Sequence, residues 1–466
     1  MRSDLASCVV SVSGIRGIVG PAMNPSLMCA LGAAVGRRLA KGKGVVLGRD
    51  SRDSGPLLAD ALASGLRGVG CEVIDLGIVP TPTVPLMVRR LRAGAGVQIS
   101  ASHNPEPWNA LKIYTRRGRN VDGDELEQVL ALMASPPADL WVGHQALGQR
   151  RDQPDAIALH CRAVLDTVDL ARLHKRRLRV VVDSVNGAGA VIAPQLLEQL
   201  GCEVIPIYDR PDRPFPRDPE PTAANVTETG AMVKALGADL GFVQDPDADR
   251  LAIIDERGRY IGEEYTLVLC AAARFSAADV GPDAVAVTNL STSRMLEDVA
   301  ARHGAQVIRT RVGEAHVLDA MQASQALIGG EGNGGVVDPR VVFCRDSQAA
   351  MALVLDYCAR REKPLSHLLA EIPSYAMHKE KVGLDRAAVA AAIAQVLESP
   401  LVQGAVIDVQ DGLKLIWPDS WLHLRASGTE PAARIISEAP SAAAARKLAG
   451  QLRGLIKAPL LKAGHH

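Results

Sequence analysis

Residues 44–77 read GVVLGRDSRDSGPLLADALASGLRGVGCEVIDLG. A short β-branched run, Val45-Val46-Leu47, passes through a polar turn into an amphipathic helical stretch. Gly70 stops that stretch, and a second apolar run follows. The same order recurs in 178–207, LRVVVDSVNGAGAVIAPQLLEQLGCEVIPI, and in 283–309, DAVAVTNLSTSRMLEDVAARHGAQVIR, with Gly201 and Gly304 as the stops. Each stretch is a β-α-β unit, and three copies more than 100 residues apart suit three related α/β domains rather than a solenoid. The runs do not alternate apolar with polar, as expected of strands covered on both faces.

Working outward, 135–156 (SPPADLWVGHQALGQRRDQPDA) lacks periodicity and reads as a linker. The second unit ends near the polar turn Asp255-Glu256-Arg257-Gly258, and the third near Glu371-Ile372-Pro373. The remainder mixes helix-like AAVAAAIAQVL with strand-like AVIDV, LKLIW and ARIIS, so a smaller α+β domain is expected to close the chain. Domains are therefore expected at 1–152, 153–257, 258–372 and 373–466.

A chain of 466 residues can bury several cores without metals or disulfides. Lys plus Arg equals Asp plus Glu, 52 against 52, so no global field draws nucleic acid or an anionic membrane, and any anion site has to be built locally. At 3% aromatic residues there are too few rings for base-stacking platforms. Apolar runs such as Leu267 to Ala273 fall short of the roughly 20 residues that span a bilayer. The N-terminus shows no long apolar stretch of a secretory signal. The eight cysteines are scattered and none forms C-x-x-C, which fits reduced thiols and a cytoplasmic location. The basic run His174-Lys175-Arg176-Arg177 reads as a solvated loop.

Four segments carry chemistry. In ADLGFVQDPDADRLAIIDE (238–256), Asp245, Asp247 and Asp249 alternate in a loop between two apolar runs. Three such carboxylates repel one another unless a cation sits among them, and oxygen ligation suits Mg²⁺. An EF-hand is excluded because Arg250 takes the sixth-position glycine and 251–254 is strand-like. In GAGVQISASHNPEPWNALKIY (94–114), Ser102 follows a strand end, where a nucleophile or phosphate carrier is well placed. His103 is positioned to deprotonate or orient it and Lys112 to hold a phosphate oxygen; a turn capped by Asn104 reads the same letters. In LRASGTEPAARIISE (424–438), Arg425, Ser427, Gly428 and Thr429 compose an anion nest that Arg434 can reach, while Ser427-x-x-Glu430 also reads as a helix capping box. In IGGEGNGGVVD (328–338), five glycines surround Glu331 and Asn333, which could read ligand hydroxyls. Ser13-Gly14-Ile15-Arg16-Gly17 sets an arginine between glycines, a phosphate contact or an ordinary turn. DSVNGAGA (183–190) reads as close helix–strand packing rather than a dinucleotide fingerprint.

Taken together, SGIRG (13–17), SASHNP (100–105), DPDADR (245–250), GEGNGG (330–335) and RASGTEP (425–431), with GRDSR (48–52), PTPT (80–83) and DPEPTAAN (218–225), resemble the α-D-phosphohexomutase family over nearly the whole chain. That resemblance implies three α/β/α domains with mixed sheets and a C-terminal α+β domain around a central active-site cleft. It implies that Ser102 carries a phosphoryl group between O1 and O6 of an α-D-hexose phosphate through a 1,6-bisphosphate that also serves as activator. Mg²⁺ would be held by Asp245, Asp247, Asp249 and a phosphate oxygen on Ser102. Arg16, Lys112 and Arg250 would surround the reacting phosphate, Arg425, Ser427, Gly428, Thr429 and Arg434 would bind the distal one, and Glu331 and Asn333 would read sugar hydroxyls. The partner is a phosphosugar, with no nucleic acid and no membrane, in a monomer or homodimer.

Two departures stand out. The common bacterial sugar loop of the family ends in a histidine suggested for proton transfer, where this chain has Gly335, so Arg16, Lys112 and His103 inherit the acid–base question. Ala110 replaces a glycine near the phosphoserine. The GGEGNGG form resembles phosphoglucosamine mutases more than phosphomannomutase/phosphoglucomutase enzymes, which remain the alternative. A metal-dependent phosphomonoesterase and a non-catalytic phosphosugar-binding protein are the more remote expectations.

Overall fold

The computed structural model describes residues 5, 7–277, 280–281, 283–427 and 432–456. The chain forms two compact units, one of residues 1–280 with 327–369, the other of 281–326 with 370–466.

The first unit holds two mixed sheets. Strands β1 (Val9–Ser11), β2 (Gly14–Ile18), β3 (Val45–Arg49), β4 (Val73–Ile78), β5 (Ala95–Ile99), β6 (Trp108–Thr115) and β7 (Arg150–Asp152) make a seven-stranded sheet in the order β1-β2-β6-β5-β3-β4-β7. The expected β-α-β unit is its centre: β3 pairs in parallel with β4 and β5, with the helix Gly55–Gly68 between β3 and β4. Strands β8 (Arg179–Asp183), β9 (Glu203–Ile207), β10 (Leu240–Gln244) and β11 (Leu251–Asp255) follow in the order β11-β10-β8-β9, parallel except for β10 against β11. Val45, Val46, Val97, Val180, Val181 and Val182 are fully buried, as double-faced cover requires. A hairpin of β14 (Ile328–Glu331) and β15 (Gly335–Val337) completes this unit.

The second unit contains the third repeat, β12 (Val285–Asn289) parallel to β13 (Gln306–Thr310), joined through the helix Met295–Arg302. It also contains an antiparallel five-stranded sheet of β16 (Ala376–Val382), β17 (Val406–Asp408), β18 (Leu413–Ile416), β19 (Trp421–Ala426) and β20 (Ala433–Ala439) in the order β16-β20-β19-β18-β17. The helices Arg386–Leu397 and Ala442–Leu455 share its apolar core. The three repeat glycines, Gly70, Gly201 and Gly304, all take positive φ (83°, 83° and 67°), which is why each helix stops there.

Two sequence expectations need correction. Part of the 135–156 linker is a strand: Arg150–Asp152 adds to the sheet edge beside β4, in register Val73 with Arg150. Its residues are Arg-Arg-Asp, all exposed, so backbone pairing forms it without any apolar signal. The helix expected after the capping box is also corrected at Ala433 and Arg434, which begin β20, while Glu430 of the box lies outside the described residues. Gly428 and Thr429 lie outside the described residues. Among the described residues no helix is long and apolar enough to cross a membrane, and none of the eight cysteines forms a disulfide.

Candidate active site

Strand ends in the first unit bring Ser102, Lys112 and the three aspartates together. Ser102 leaves the end of β5 with φ 50°, a left-handed conformation that a serine adopts only where its surroundings enforce it. The enforcing contacts are specific. Its N–H donates to Ser100 Oγ (2.9 Å), Ser100 Oγ donates to Asp50 Oδ2 (2.6 Å), and its carbonyl accepts from the Arg52 guanidinium (2.7 Å). Arg52 also bonds the carbonyls of Asn104 (2.6 Å) and Pro105 (2.9 Å) and Asp50 Oδ2 (3.1 Å). One buried arginine thus fixes the whole Ser102–Pro105 turn.

The loop between β10 and β11 is wound as tightly. Asp245 Oδ1 accepts the N–H groups of Asp249 and Arg250 (both 3.2 Å), and Ala248 takes φ 52°. A Cβ on Gly187 would lie 2.5 Å from the Pro246 carbonyl oxygen, so the DSVNGAGA segment is indeed a close-packing element, pressed against this loop. Asp245, Asp247 and Asp249 are all buried, and one ligand oxygen from each lies within 4.8 Å of the others.

Into this cage Ser102 points its hydroxyl, which donates to Asp245 Oδ2 at 2.6 Å. Lys112 Nζ, from β6, donates to Asp247 Oδ2 (2.6 Å) and Asp249 Oδ2 (2.9 Å), Arg345 donates to Asp249 Oδ2 (2.8 Å), and Thr81 Oγ1 donates to Asp247 Oδ2. Asp247 and Asp249 therefore have their Oδ2 atoms held by donors. Their Oδ1 atoms are buried and accept no hydrogen bond among the described residues. Open carboxylate oxygens converging with a third carboxylate are the donor set a hard divalent cation takes.

The electrostatics agree. Burial, then the charges of Asp249 and Asp247, lift the Asp245 carboxyl well above the usual range, against the pull of Arg250 and Ser102. Burial also pushes Asp247 and Asp249 up, but the neighbouring cations win: Lys112 for Asp247, and Arg345, Lys112 and Arg250 for Asp249, so both lie below the usual range. Burial alone would lower Lys112; Asp247 and Asp249 outweigh it and raise the ammonium above its ordinary value. Arg16 is lowered by burial and by the positive charges of Arg250 and Arg345, so three guanidiniums crowd a region that an anion would relieve. His103 is pushed down to about 3 by burial, Arg250 and Arg16, which leaves the imidazole neutral at pH 7, and its buried Nδ1 has no hydrogen-bond partner among the described residues.

Glu331, at the end of β14, is buried and lies 3.5 Å from the Arg345 guanidinium. Asn333 Nδ2 donates to Glu331 Oε2 (3.4 Å), and Asn333 Oδ1 accepts the Gly335 N–H (3.1 Å). In the second unit, Arg425 and Arg434 face each other across β19 and β20. Arg425 Nε donates to Asp411 Oδ2 (2.9 Å), Arg434 is exposed, and the Ser427 N–H donates to the Ala432 carbonyl (2.7 Å). Residues that sequence reading did not assign are Asp50, Arg52, Thr81 and Arg345. GRDSR and PTPT flagged the neighbourhood of the first three, whereas nothing local marks Arg345 in VVFCRDSQ.

A serine hydroxyl bonded into a buried acidic cage, with a lysine and arginines around it, is an arrangement that fits a divalent cation and a phosphate group. The comparisons agree with that reading. The phosphoglucomutase/phosphomannomutase alpha/beta/alpha domains I, II and III match residues 9–138, 158–258 and 262–375, and the C-terminal domain of the same family matches 377–455. A Thermococcus kodakarensis protein named phosphoglucomutase/phosphomannomutase is 41% identical over 442 residues, covering 93% of this chain and 95% of that one. A Methanopyrus kandleri protein named "Probable phosphoglucosamine mutase" is 36% identical over 448 residues, covering 96% and 97%. The crystal structure of a phosphoglucomutase/phosphomannomutase family protein from Burkholderia thailandensis superposes with TM-score 0.83 at 26% identity, covering 98% and 97%. The chain belongs to the phosphoglucomutase/phosphomannomutase family, the α-D-phosphohexomutases.

Proposed function

We propose that this enzyme moves a phosphoryl group between O1 and O6 of an α-D-hexose phosphate, with glucosamine phosphate as the preferred substrate, using Ser102 as the covalent carrier. The observation that carries the reading is the 2.6 Å bond from Ser102 Oγ into the Asp245–Asp247–Asp249 cage. In the resting phosphoenzyme, Ser102 Oγ bears the phosphoryl group. A sugar hydroxyl attacks its phosphorus, the bond to Oγ breaks, and a 1,6-bisphosphate results; reorientation of that sugar then lets Ser102 Oγ accept the other phosphoryl group. Asp245, Asp247 and Asp249 would hold Mg²⁺, which neutralises charge on the transferring group. Arg16, Arg250 and Lys112 offset the same charge from the protein side, and Lys112 keeps Asp247 and Asp249 turned so that each offers Oδ1. His103, neutral and with an open Nδ1, is suited to orient the attacking hydroxyl, since the burial and guanidiniums that push it down to about 3 make it a weak base. Glu331 and Asn333 read sugar hydroxyls, and Arg425, Ser427, Gly428, Thr429 and Arg434 bind the distal phosphate.

The relative named phosphoglucomutase/phosphomannomutase supports a second reading, the same chemistry on glucose or mannose phosphates. A panel of glucosamine 6-phosphate, glucose 1-phosphate and mannose 1-phosphate, each with Mg²⁺ and a trace of the matching bisphosphate, separates the two. Isomer from glucosamine 6-phosphate at the highest kcat/KM is expected. Free phosphate without isomer would point instead to a phosphomonoesterase, and binding without turnover by fully phosphorylated protein to a sensor.

A further inference from the structure

Arg345 lies immediately before the helix Ser347–Arg361, and its neighbour Asp346 caps that helix by accepting the Gln348 N–H (2.9 Å). Asp346 Oδ2 also lies 2.9 Å from His160 Nε2, and His160 Nδ1 lies 2.8 Å from Thr83 Oγ1. Thr83, His160 and Asp346 are all 0% exposed, so this chain of bonds clamps residue 346 to two distant parts of the unit. From that anchor the Arg345 stem crosses the β14–β15 hairpin. A Cβ on Gly335 would come within 2.3 Å of Arg345 Cδ, so the glycine at 335 is what leaves the arginine its path. The guanidinium then meets Asp249 Oδ2 at 2.8 Å and Glu331 Oε2 at 3.5 Å.

We propose that Arg345 is a positioning residue, a strut that sets the cation-binding carboxylate of Asp249 and the sugar-reading carboxylate of Glu331 against one common reference. Because it bonds Oδ2 of Asp249 and leaves Oδ1 open, it orients the carboxylate without occupying the cage. Partners of this kind are worth about 10- to 100-fold in metal affinity. The guanidinium reaches the two carboxylates through separate nitrogens held in one rigid plane, a geometry that a flexible lysine at this position does not reproduce. The Glu331 half of the inference rests on the mutase reading above; the Asp249 half does not.

The test uses the full-length protein and two readouts: Mn²⁺ binding to metal-free protein by electron paramagnetic resonance, and KM for glucosamine 6-phosphate at saturating Mg²⁺. Arg345→Gln is expected to weaken Mn²⁺ about 10- to 100-fold and to raise KM by a similar factor. Thr81→Val, which removes a donor to Asp247 and leaves Glu331 untouched, is expected to weaken Mn²⁺ alone. Glu331→Gln is expected to raise KM alone. Arg345→Lys should recover Mn²⁺ binding but not KM, and Gly335→Ala, which displaces the arginine stem, should reproduce both defects in a protein of unchanged melting midpoint. Mn²⁺ binding as tight as or tighter than the parent in Arg345→Gln, as removal of a mere repulsive charge would give, overturns the proposal; so does loss of both properties in Arg345→Lys. If the parent protein binds Mn²⁺ but isomerises no phosphosugar, the mutase reading fails while the Mn²⁺ arm still decides the strut.

Discussion

Two buried polar clusters, one in each unit, are built from similar residues and behave differently. In the first unit, Asp245, Asp247, Asp249, Lys112 and Arg345 are packed with two carboxylate oxygens left open. In the second, Glu438 accepts from Ser293 Oγ, the Arg294 N–H (3.0 Å) and Trp421 Nε1, and Lys414 Nζ donates to the Leu290 carbonyl (2.5 Å). His423 completes it, with Ser291 Oγ 3.0 Å from Nδ1 and the Asp411 carbonyl 2.7 Å from Nε2. No side-chain atom of Glu438, Lys414, Trp421 or His423 is a buried group without a partner. The lesson is that burial and charge do not separate a binding site from a structural network; unfilled bonding capacity does.

The sharpest break of that contrast would come from Asp247→Asn. If the first cluster is a cation cage, kcat falls by about 100- to 1,000-fold while KM for the sugar phosphate moves little and the melting midpoint stays near the parent value. Steady-state kinetics with thermal unfolding decide it, and an unchanged kcat would remove the metal assignment. Glu438→Ala should invert the pattern. Stranding three buried donors costs the second unit about 3 kcal/mol, read as a lowered unfolding midpoint, and activity follows only the folded fraction.

A subtler contrast lies in pH. Burial is the main force that pushes His423 down to about 4 from 6.5, aided by Lys414 and Arg425 against the Asp411 carbonyl. Burial and Arg309 push Lys414 down to about 6 from 10.5. A base depressed in the folded state takes its proton later there than in the unfolded chain. Its stabilisation is therefore full above the unfolded value and drains as pH falls through the window. His423 accordingly removes about 3 kcal/mol from the second unit between pH 6.5 and 4. Lys414 acts in the same direction between pH 10.5 and 6. The unfolding midpoint should drop from pH 7 to 4.5, and His423→Gln should flatten that limb; an unchanged limb would mean that His423 is not held neutral by its burial. At the first cluster the coupling has the other origin. Asp245 must lose its proton to ligate, so cation binding should release protons below its raised pKa, and apparent affinity should rise with pH.

Much of the fold is legible in the sequence itself. The three β-α-β units announce themselves because double-covered strands cannot hide their apolar runs and each helix needs a left-handed stop at Gly70, Gly201 or Gly304. Ser102 and the aspartates stand out in the sequence because three carboxylates alternate between two apolar runs and repel one another unless something offsets their charge. Arg345 does not, since its partners Asp249 and Glu331 lie in other segments and one arginine in VVFCRDSQ has no pattern. Nor does the His160 link, whose partners are 77 and 186 residues away. β7 escaped because edge pairing of Arg150–Asp152 involves backbone groups only.

The central claim is that the hydroxyl of Ser102 carries the phosphoryl group. It is tested most directly by following the mass of the Ser102 peptide through a single turnover of phosphorylated enzyme with glucosamine 6-phosphate and Mg²⁺. One phosphoryl group should leave that peptide as the bisphosphate forms and return to it as glucosamine 1-phosphate is released. Isomerisation at full rate with that peptide unphosphorylated throughout, or in Ser102→Ala, would contradict the account.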